Sequence, residues 1–544
     1  GPPDPSCNAP LGLANQNMSV SGDTCIPCHS PGAWLEGRSV PTDASGFIPE
    51  DFDGINCNFC HRLVDPVAST KNPSEDVEIL GDLAKLGLVP SQPGNGRYVV
   101  DPKDSRRGPL PDVPANFHEP VPILVSPFHR ESALCGTCHD VSNSAFTRQK
   151  DGTYKLNRFG APHPTGNSHD MMPEQRTYSE WRNSTFASEG VYFSDRRFGG
   201  DHATGVMKSC QDCHMPKMYG GLCAYWSVPR FFPRIDIPQH GFVGANTWVI
   251  GAVFDQFNLD SGLDEEKVGI NRTRTLEMLR AASDMQVSQV ANKLKVRVIN
   301  YSGHKLPTGY PEGRRMWVNV RFLDGLQQVI AEHGRYDFNT ATLNTGDTKV
   351  YEMKLGLDKA MSTATGLPEG PSHHLVLNNQ VLKDNRIPPV GFTNDAFRAV
   401  LASPVAHAYV DGQYWDDSAF TIPNGAHDAI VTLYYQTTSK EYIEFLRDSN
   451  TQPAPNAGTI AYDLWVGRGK SAPVDMDMGA KPLVPSRPGD VNLDGHTNII
   501  DLLAVVSGWG ACPPPPSFCP SDLNFDGRSN IDDLLAVVGG WGGR

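Results

Sequence analysis

No stretch of this sequence stays apolar for the roughly 18 or more residues that a membrane-spanning helix needs. Positive charge is also scarce. Lys and Arg total 47 against 61 Asp and Glu, a formal net charge of −14, which excludes a broad basic face for nucleic acid. The first 245 residues have little hydrophobic periodicity, and turns such as "PGNG", "RRGPLPDVP" and "PHPTGN" recur. A chain of this kind builds little apolar core of its own, so something else must fill its interior. No apolar leader precedes "GPPDPSC", which is the expected look of a processed start.

What the chain does have is cysteine in a pattern. Of 12 cysteines, eight fall in four copies of C-x-x-C-H: Cys25-Cys28-His29, Cys57-Cys60-His61, Cys135-Cys138-His139 and Cys210-Cys213-His214. Two thiols about one helical turn apart can add across the two vinyl groups of a porphyrin. The next residue then lies beneath the ring, where its imidazole can bind iron. This is the attachment pattern of c-type haem. A single copy also reads as a zinc or thiol-redox site; four copies, each followed by His, favour haem. Four macrocycles would also supply the apolar surface that the first 245 residues lack.

Cys7, Cys223, Cys512 and Cys519 remain. The even number points to two disulfides, Cys512–Cys519 around "PPPPSF" and Cys7–Cys223 across the haem region, with free thiols as the alternative. Haem attachment and disulfides both belong outside a reducing cytosol.

Beyond the haem region the pattern changes. Residues 264–283 predict a helix with Leu276, Met278, Leu279 and Ala282 on one side. Residues 285–470 hold strand-like segments, "NKLKVRVI", "RMWVNVRFL", "TKVYEMKLGL", "SHHLVLNNQVL" and "HDAIVTLYYQTT", which predict a β-sandwich. A Pro-rich stretch at 471–488 reads as a linker.

The tail repeats itself. "DVNLDGHTNIIDLLAVVSGWG" (490–510) and "DLNFDGRSNIDDLLAVVGGWG" (522–542) agree at 15 of 21 positions. Each opens like an EF-hand calcium loop. Asp490, Asn492, Asp494, Asn498 and Asp501 stand at loop positions 1, 3, 5, 9 and 12 of the first copy. Asp522, Asn524, Asp526, Asn530 and Asp533 do so in the second. Gly495 and Gly527 take the sharp turn at position 6, and His496 and Arg528 follow, offering backbone carbonyls. Asp replaces the usual Glu at position 12. The tandem resembles a dockerin-type module, a calcium-folded attachment piece; the resemblance implies two Ca²⁺.

A haem iron with one axial His has a sixth position. Filled by a side chain it carries electrons; left open it binds small molecules. The chain has 17 histidines, so many remain after the four proximal ones. His118 and His129 precede the third motif, His240 follows the fourth, and His304 lies in "NYSGHKLPTGY". His163, His169 and His202 lie in haem-region loops, with Met171, Met172 and Met215 as weaker ligands. His333, His373, His374, His407 and His427 read as surface or core residues of the β-region.

Several fragments resemble the multihaem c-type cytochromes, among which are cytochromes that polymerise into extracellular conducting filaments. They are "GINCNFCH", "SPFHRESALCGTCHDV", the "YSEWRNSTFA" run leading to "CQDCHMP", "HGFVGAN", "GHKLPTGYPEGRRMW" and "KDNRIPPVGF", spread over most of residues 20–440. The resemblance implies that His129, His240 and His304 are distal haem ligands. His118 is taken as the fourth, with His202 as its competitor. Every haem would then be ligated by two histidines.

The expected architecture is multidomain. A loop-rich and helical tetrahaem cytochrome c domain covers 1–245, and a helical connection covers 246–284. A β-sandwich follows at 285–470, a linker at 471–488 and a small helical EF-hand-like dockerin module at 489–544. The expected function is electron transfer at or beyond the cell surface, with no catalytic residue. Redox proteins, extracellular acceptors or further copies of the chain would be its partners. The alternative is an oxidoreductase with one open haem, acting on small nitrogen or sulfur compounds.

Overall fold

A computed structural model describes residues 19–40, 42, 44–113, 123–158, 161–198, 202–220, 234–257, 263–449 and 457–541. His118, Cys7 and Cys223 lie outside these residues, and with them the fourth distal-ligand expectation and one expected disulfide.

In the first 245 residues, every sheet among the described residues has two strands. The apolar clusters are small, for example Phe59, Leu63 and Phe128, or Val64, Leu80 and Val99. Charged side chains are buried instead. Arg107 is 1% exposed and bridges Asp76 at 2.8 Å and Asp101 at 2.7 Å. This part of the chain is stitched by polar contacts more than packed by apolar ones. Buried ion pairs hold geometry well and add little net stability.

Helix α1, Glu265–Ala281, begins where Asp264 accepts the Lys267 N–H at 2.7 Å. It lies within the predicted 264–283. Leu279 and the following Ala282 enter the core of the next unit.

That unit has two sheets. One runs β1 (Ser283–Val290), β2 (Lys293–Asn300), β5 (Trp415–Thr421). The other runs β4 (Val329–His333), β3 (Arg315–Leu323), β6 (Asp428–Gln436), β7 (Val474–Pro482). All pairings are antiparallel. Leu294, Val296, Val298 and Phe420 from the first sheet share one core with Met316, Val318, Val320, Phe322, Val431, Leu433 and Tyr435 from the second. This is the period-two inward face that alternating sequence produces.

Two expectations are corrected. The stretch read as a linker, 471–488, contains β7, paired with β6 along its length. Its Pro and small residues are tolerable there because β7 is an edge strand of that sheet. The stretch "SHHLVLNNQVL", read as one strand, turns at residues 375–377 and becomes a strand only at Gln380–Asp384.

The second face of β2 is buried too. Lys295 and Arg297 are each 1% exposed. Lys295 Nζ lies 3.3 Å from Asp417 and 3.5 Å from Asp522, and Arg297 donates to the Ser517 carbonyl at 3.1 Å. The C-terminal module therefore rests on the sandwich. Its helices α2 (Ile499–Ser507) and α3 (Ile531–Gly540) close over Val491, Val505 and Val537. Cys512 and Cys519 are joined in a disulfide.

Candidate haem and calcium sites

Each C-x-x-C-H motif lies in or at the end of a short helix, which puts its two thiols on one side. Ser209 caps the fourth motif helix, Cys210–His214: its hydroxyl accepts the Asp212 N–H at 3.1 Å, and Asp212 accepts the Ser209 N–H at 2.8 Å. Asn56 caps the second by accepting the Phe59 N–H at 2.9 Å. In the third, Gly136 is required by close approach, since a Cβ there would sit 2.5 Å from the Tyr178 ring. Tyr178 belongs to helix Thr177–Arg182 of the "YSEW" run, and its N–H donates to the His139 carbonyl at 2.9 Å.

The motifs converge in an order unlike their order in the chain. The Cys28 and Cys138 thiols, from motifs 1 and 3, lie close enough to perturb each other, and so do those of Cys135 and Cys210, from motifs 3 and 4. Cys60 of motif 2 also lies close enough to act electrostatically on both thiols of motif 3. Motif 3 is thus the shared neighbour of the other three.

Two histidine pairs have the separation that a shared metal demands. Two imidazoles on opposite sides of one metal, with bonds of about 2.0–2.1 Å, have ring centres roughly 6.2–6.5 Å apart. His61 and His240 are 6.2 Å apart, and His214 and His304 are 6.4 Å apart. In all four rings Nδ1 is held by a backbone carbonyl, which leaves Nε2 for a metal. His61 is held by Arg107 at 2.6 Å and His214 by Val243 at 2.5 Å. His240 is held by Pro238 at 2.9 Å and His304 by Lys305 at 3.0 Å. Burial pushes His304 down to about 4, so its ring is neutral at pH 7, the form that binds metal.

The remaining expected ligands are placed differently. His129 lies parallel to His61 at 5.5 Å, short of the shared-metal separation. Its Nε2 meets the Cys60 carbonyl at 2.9 Å, and its Nδ1 is buried with no partner. His202 has both nitrogens engaged, with Thr204 at 3.1 Å and Lys217 at 3.0 Å. Met172 packs in an apolar cluster with Phe146 and Leu355.

The loop that carries His304 is anchored from both sides. Asn300 Nδ2 donates to the His304 and Ile387 carbonyls at 2.7 and 2.9 Å, and Leu306 pairs with Ile387. Lys305 is fully buried and meets Asp384 at 2.7 Å. Arg386 joins Asp384 at 2.7 Å to Glu180 of the haem region at 3.3 Å. Glu180 in turn accepts the Lys305 N–H at 3.1 Å and the Thr308 hydroxyl at 2.8 Å. This four-charge network was missed as a site by sequence reasoning. Its signal lay in the family-like fragments, which hold all four charges: Glu180 in "YSEWRNSTFA", Lys305 in "GHKLPTGYPEGRRMW", and Asp384 and Arg386 in "KDNRIPPVGF".

The two tail loops fold alike. Asp490 accepts the Asp494 and Gly495 N–H groups at 3.1 and 2.9 Å, and Asp522 accepts those of Asp526 and Gly527 at 3.1 and 3.2 Å. Asp501 accepts the Asn498 N–H at 2.8 Å, as Asp533 does that of Asn530. Gly495 and Gly527 both have φ 85°, the left-handed turn expected at position 6. Asp490, Asp501, Asp522 and Asp533 are fully buried, and hard oxygen donors in this order suit Ca²⁺. Lys295 places an ammonium against the position-1 carboxylate of the second loop, which the tail sequence alone could not show. Among the described residues, the one His, Cys, Asp and Glu cluster within 4.8 Å is Cys512, Cys519 and Asp522, and its two sulfurs form the disulfide.

No protein family and no curated relative matches the sequence. A structural likeness is found to a penta-heme cytochrome c552 from Thermochromatium tepidum, at 17% identity and a TM-score of 0.40, covering 84% of this chain and 83% of that chain.

Proposed function

We propose that this protein is an exported tetrahaem c-type cytochrome that carries electrons. The observation that carries the reading is the pairing of His61 with His240 and of His214 with His304, at 6.2 and 6.4 Å and with every Nδ1 turned to a carbonyl. Covalently bound haem supplies the one-electron chemistry. The chain's part is to attach, orient and enclose it. Cys25, Cys28, Cys57, Cys60, Cys135, Cys138, Cys210 and Cys213 attach it, and the paired imidazoles fix two irons. The close thiols of motifs 1, 3 and 4 argue for closely packed groups, as electron hopping requires.

"HGFVGAN" serves two motifs at once: His240 faces His61, while the Val243 carbonyl orients His214. In its finer form, supported by the resemblance, the reading places the protein at or beyond the cell surface, polymerised into a conducting filament. The two tail loops then hold Ca²⁺ and serve attachment or assembly.

His240→Ala and His304→Ala should each leave the number of attached haems unchanged and convert one haem from low to high spin, read by optical and electron paramagnetic resonance spectra. Unchanged spectra in both variants would refute the pairing.

A further inference from the structure

The second repeat of the tail is held to the sandwich by charge. Lys295 and Arg297 stand on one face of β2, two residues apart and each 1% exposed. Arg297 donates to both oxygens of Asp417, at 2.8 and 2.9 Å. Lys295 Nζ also reaches Asp417, at 3.3 Å, so two buried cations share one carboxylate of the sandwich. The other carboxylate is Asp522 of the tail, fully buried and 3.5 Å from Lys295 Nζ. Two cations and two carboxylates then balance, as charges out of water must.

The neighbouring contacts fall on the same repeat. The Lys295 ammonium lies 4.9 Å from the centre of the Phe525 ring, at position 4 of the second loop, where the first loop has Leu493. Arg297 and Gln286 donate to the Ser517 and Pro516 carbonyls at 3.1 and 3.0 Å. Both carbonyls belong to the segment that the Cys512–Cys519 disulfide closes, and the Cys519 carbonyl accepts the Asp522 N–H at 3.3 Å. The chain ahead of the tail is pinned separately: Gln289 donates to the Val484 carbonyl at 2.8 Å and to the Ser486 hydroxyl at 2.9 Å.

We propose that the sandwich competes with calcium for Asp522, so that the two loops load in order and the second ion loosens the second repeat from the sandwich. The proposal rests on the calcium reading of the tail. Asp522 stands at position 1 of the second loop, so the carboxylate that balances Lys295 is also a metal ligand. A divalent ion held there repels the Lys295 ammonium and takes from the buried face the carboxylate that balanced it. Docking therefore weakens calcium binding at the second loop. By linkage, calcium at the second loop weakens docking by the same factor. The first ion folds the module, and Lys295 supplies part of the second ion's charge until calcium is abundant.

The test uses the full-length protein carrying its haems. In titration calorimetry two calcium ions should bind, one of them about tenfold or more weakly than the other, an ordinary strength for coupled sites. Asp526→Ala, which removes the position-5 ligand of the second loop, should abolish the weaker event and spare the tighter one. Lys295→Met should bring the two affinities within about threefold, while Lys295→Arg, which keeps the charge, should leave them apart. Acetylation by an N-hydroxysuccinimide ester, read at Lys295 by peptide mass, reports docking directly. Lys295 should be labelled in EGTA, protected near one calcium per chain, and labelled again at saturation. Calcium-dependent folding alone gives protection that only rises. Protection that only rises, two equal affinities, or a gap that Lys295→Met does not narrow would each overturn the proposal. Absence of calcium binding at both loops would instead fail the calcium reading beneath it, so the two failures are distinguishable.

Discussion

At the scale of single residues, orientation matters as much as identity. Several histidines of the haem region look alike in sequence. In the structure a ligand-like ring is one whose Nδ1 is held by a carbonyl, as His240 and His304 are, while His202 is spent on Thr204 and Lys217. The same scale explains why His304 is dependable. Burial works against the charge of Asp384, and the Arg386 guanidinium and Lys305 ammonium overcome it, holding the carboxyl below the ordinary carboxylate range. A depressed carboxylate contributes stability that is present above its unfolded pKa and lost as pH falls through its folded one. Asp384→Asn removes that contribution, leaving Lys305 buried without its carboxylate and Arg386 with Glu180 alone. It should cost about 3–5 kcal/mol in thermal or denaturant unfolding. It should also flatten the acid limb of the stability profile. A loss below about 0.5 kcal/mol would show that the network is solvated, as surface pairs are.

At the scale of elements, what was legible had strong local signals. "RMWVNVRFL" is β3 residue for residue, and helix α1 lies inside its predicted span. The C-x-x-C-H motifs and the tail loops are likewise local patterns. What was not legible depends on distant partners. β7 reads as a linker because Pro and Gly weaken its strand signal, and only its pairing to β6 reveals it. The tail module covers the charged face of β2 through Lys295 and Arg297, a contact with no local signal in either segment. That module gives a prediction of its own. With Ca²⁺ bound, residues 490–541 should resist proteolysis, and EGTA should render them cleavable while the sandwich stays intact. Lys295→Met should leave the first loop unaffected and change the calcium affinity of the second, because Lys295 neutralises part of the Asp522 charge. Equal resistance with and without EGTA would rule out calcium-dependent folding of the tail.

At the scale of the whole molecule, the haem region and the sandwich depend on each other. A turn of the sandwich places the His304 ring 6.4 Å from that of His214 in motif 4, and Glu180 of the first 245 residues supplies the carboxylate that receives Arg386 and Thr308. His214 and His304 are 90 positions apart and Glu180 and Arg386 are 206 apart, so their juxtaposition was open to view only through family-like fragments. The haem region itself has small apolar clusters and many buried charges, as a fold organised around prosthetic groups would. Its stability should therefore depend on haem attachment far more than that of the sandwich, whose core is continuous. The most direct measurement is the intact mass of the denatured protein after expression with a haem-attachment system. The account predicts a chain carrying four haems that survive denaturation, one for each C-x-x-C-H motif. A mass equal to the bare chain, or one shifted by bound zinc alone in a native spectrum, would contradict it.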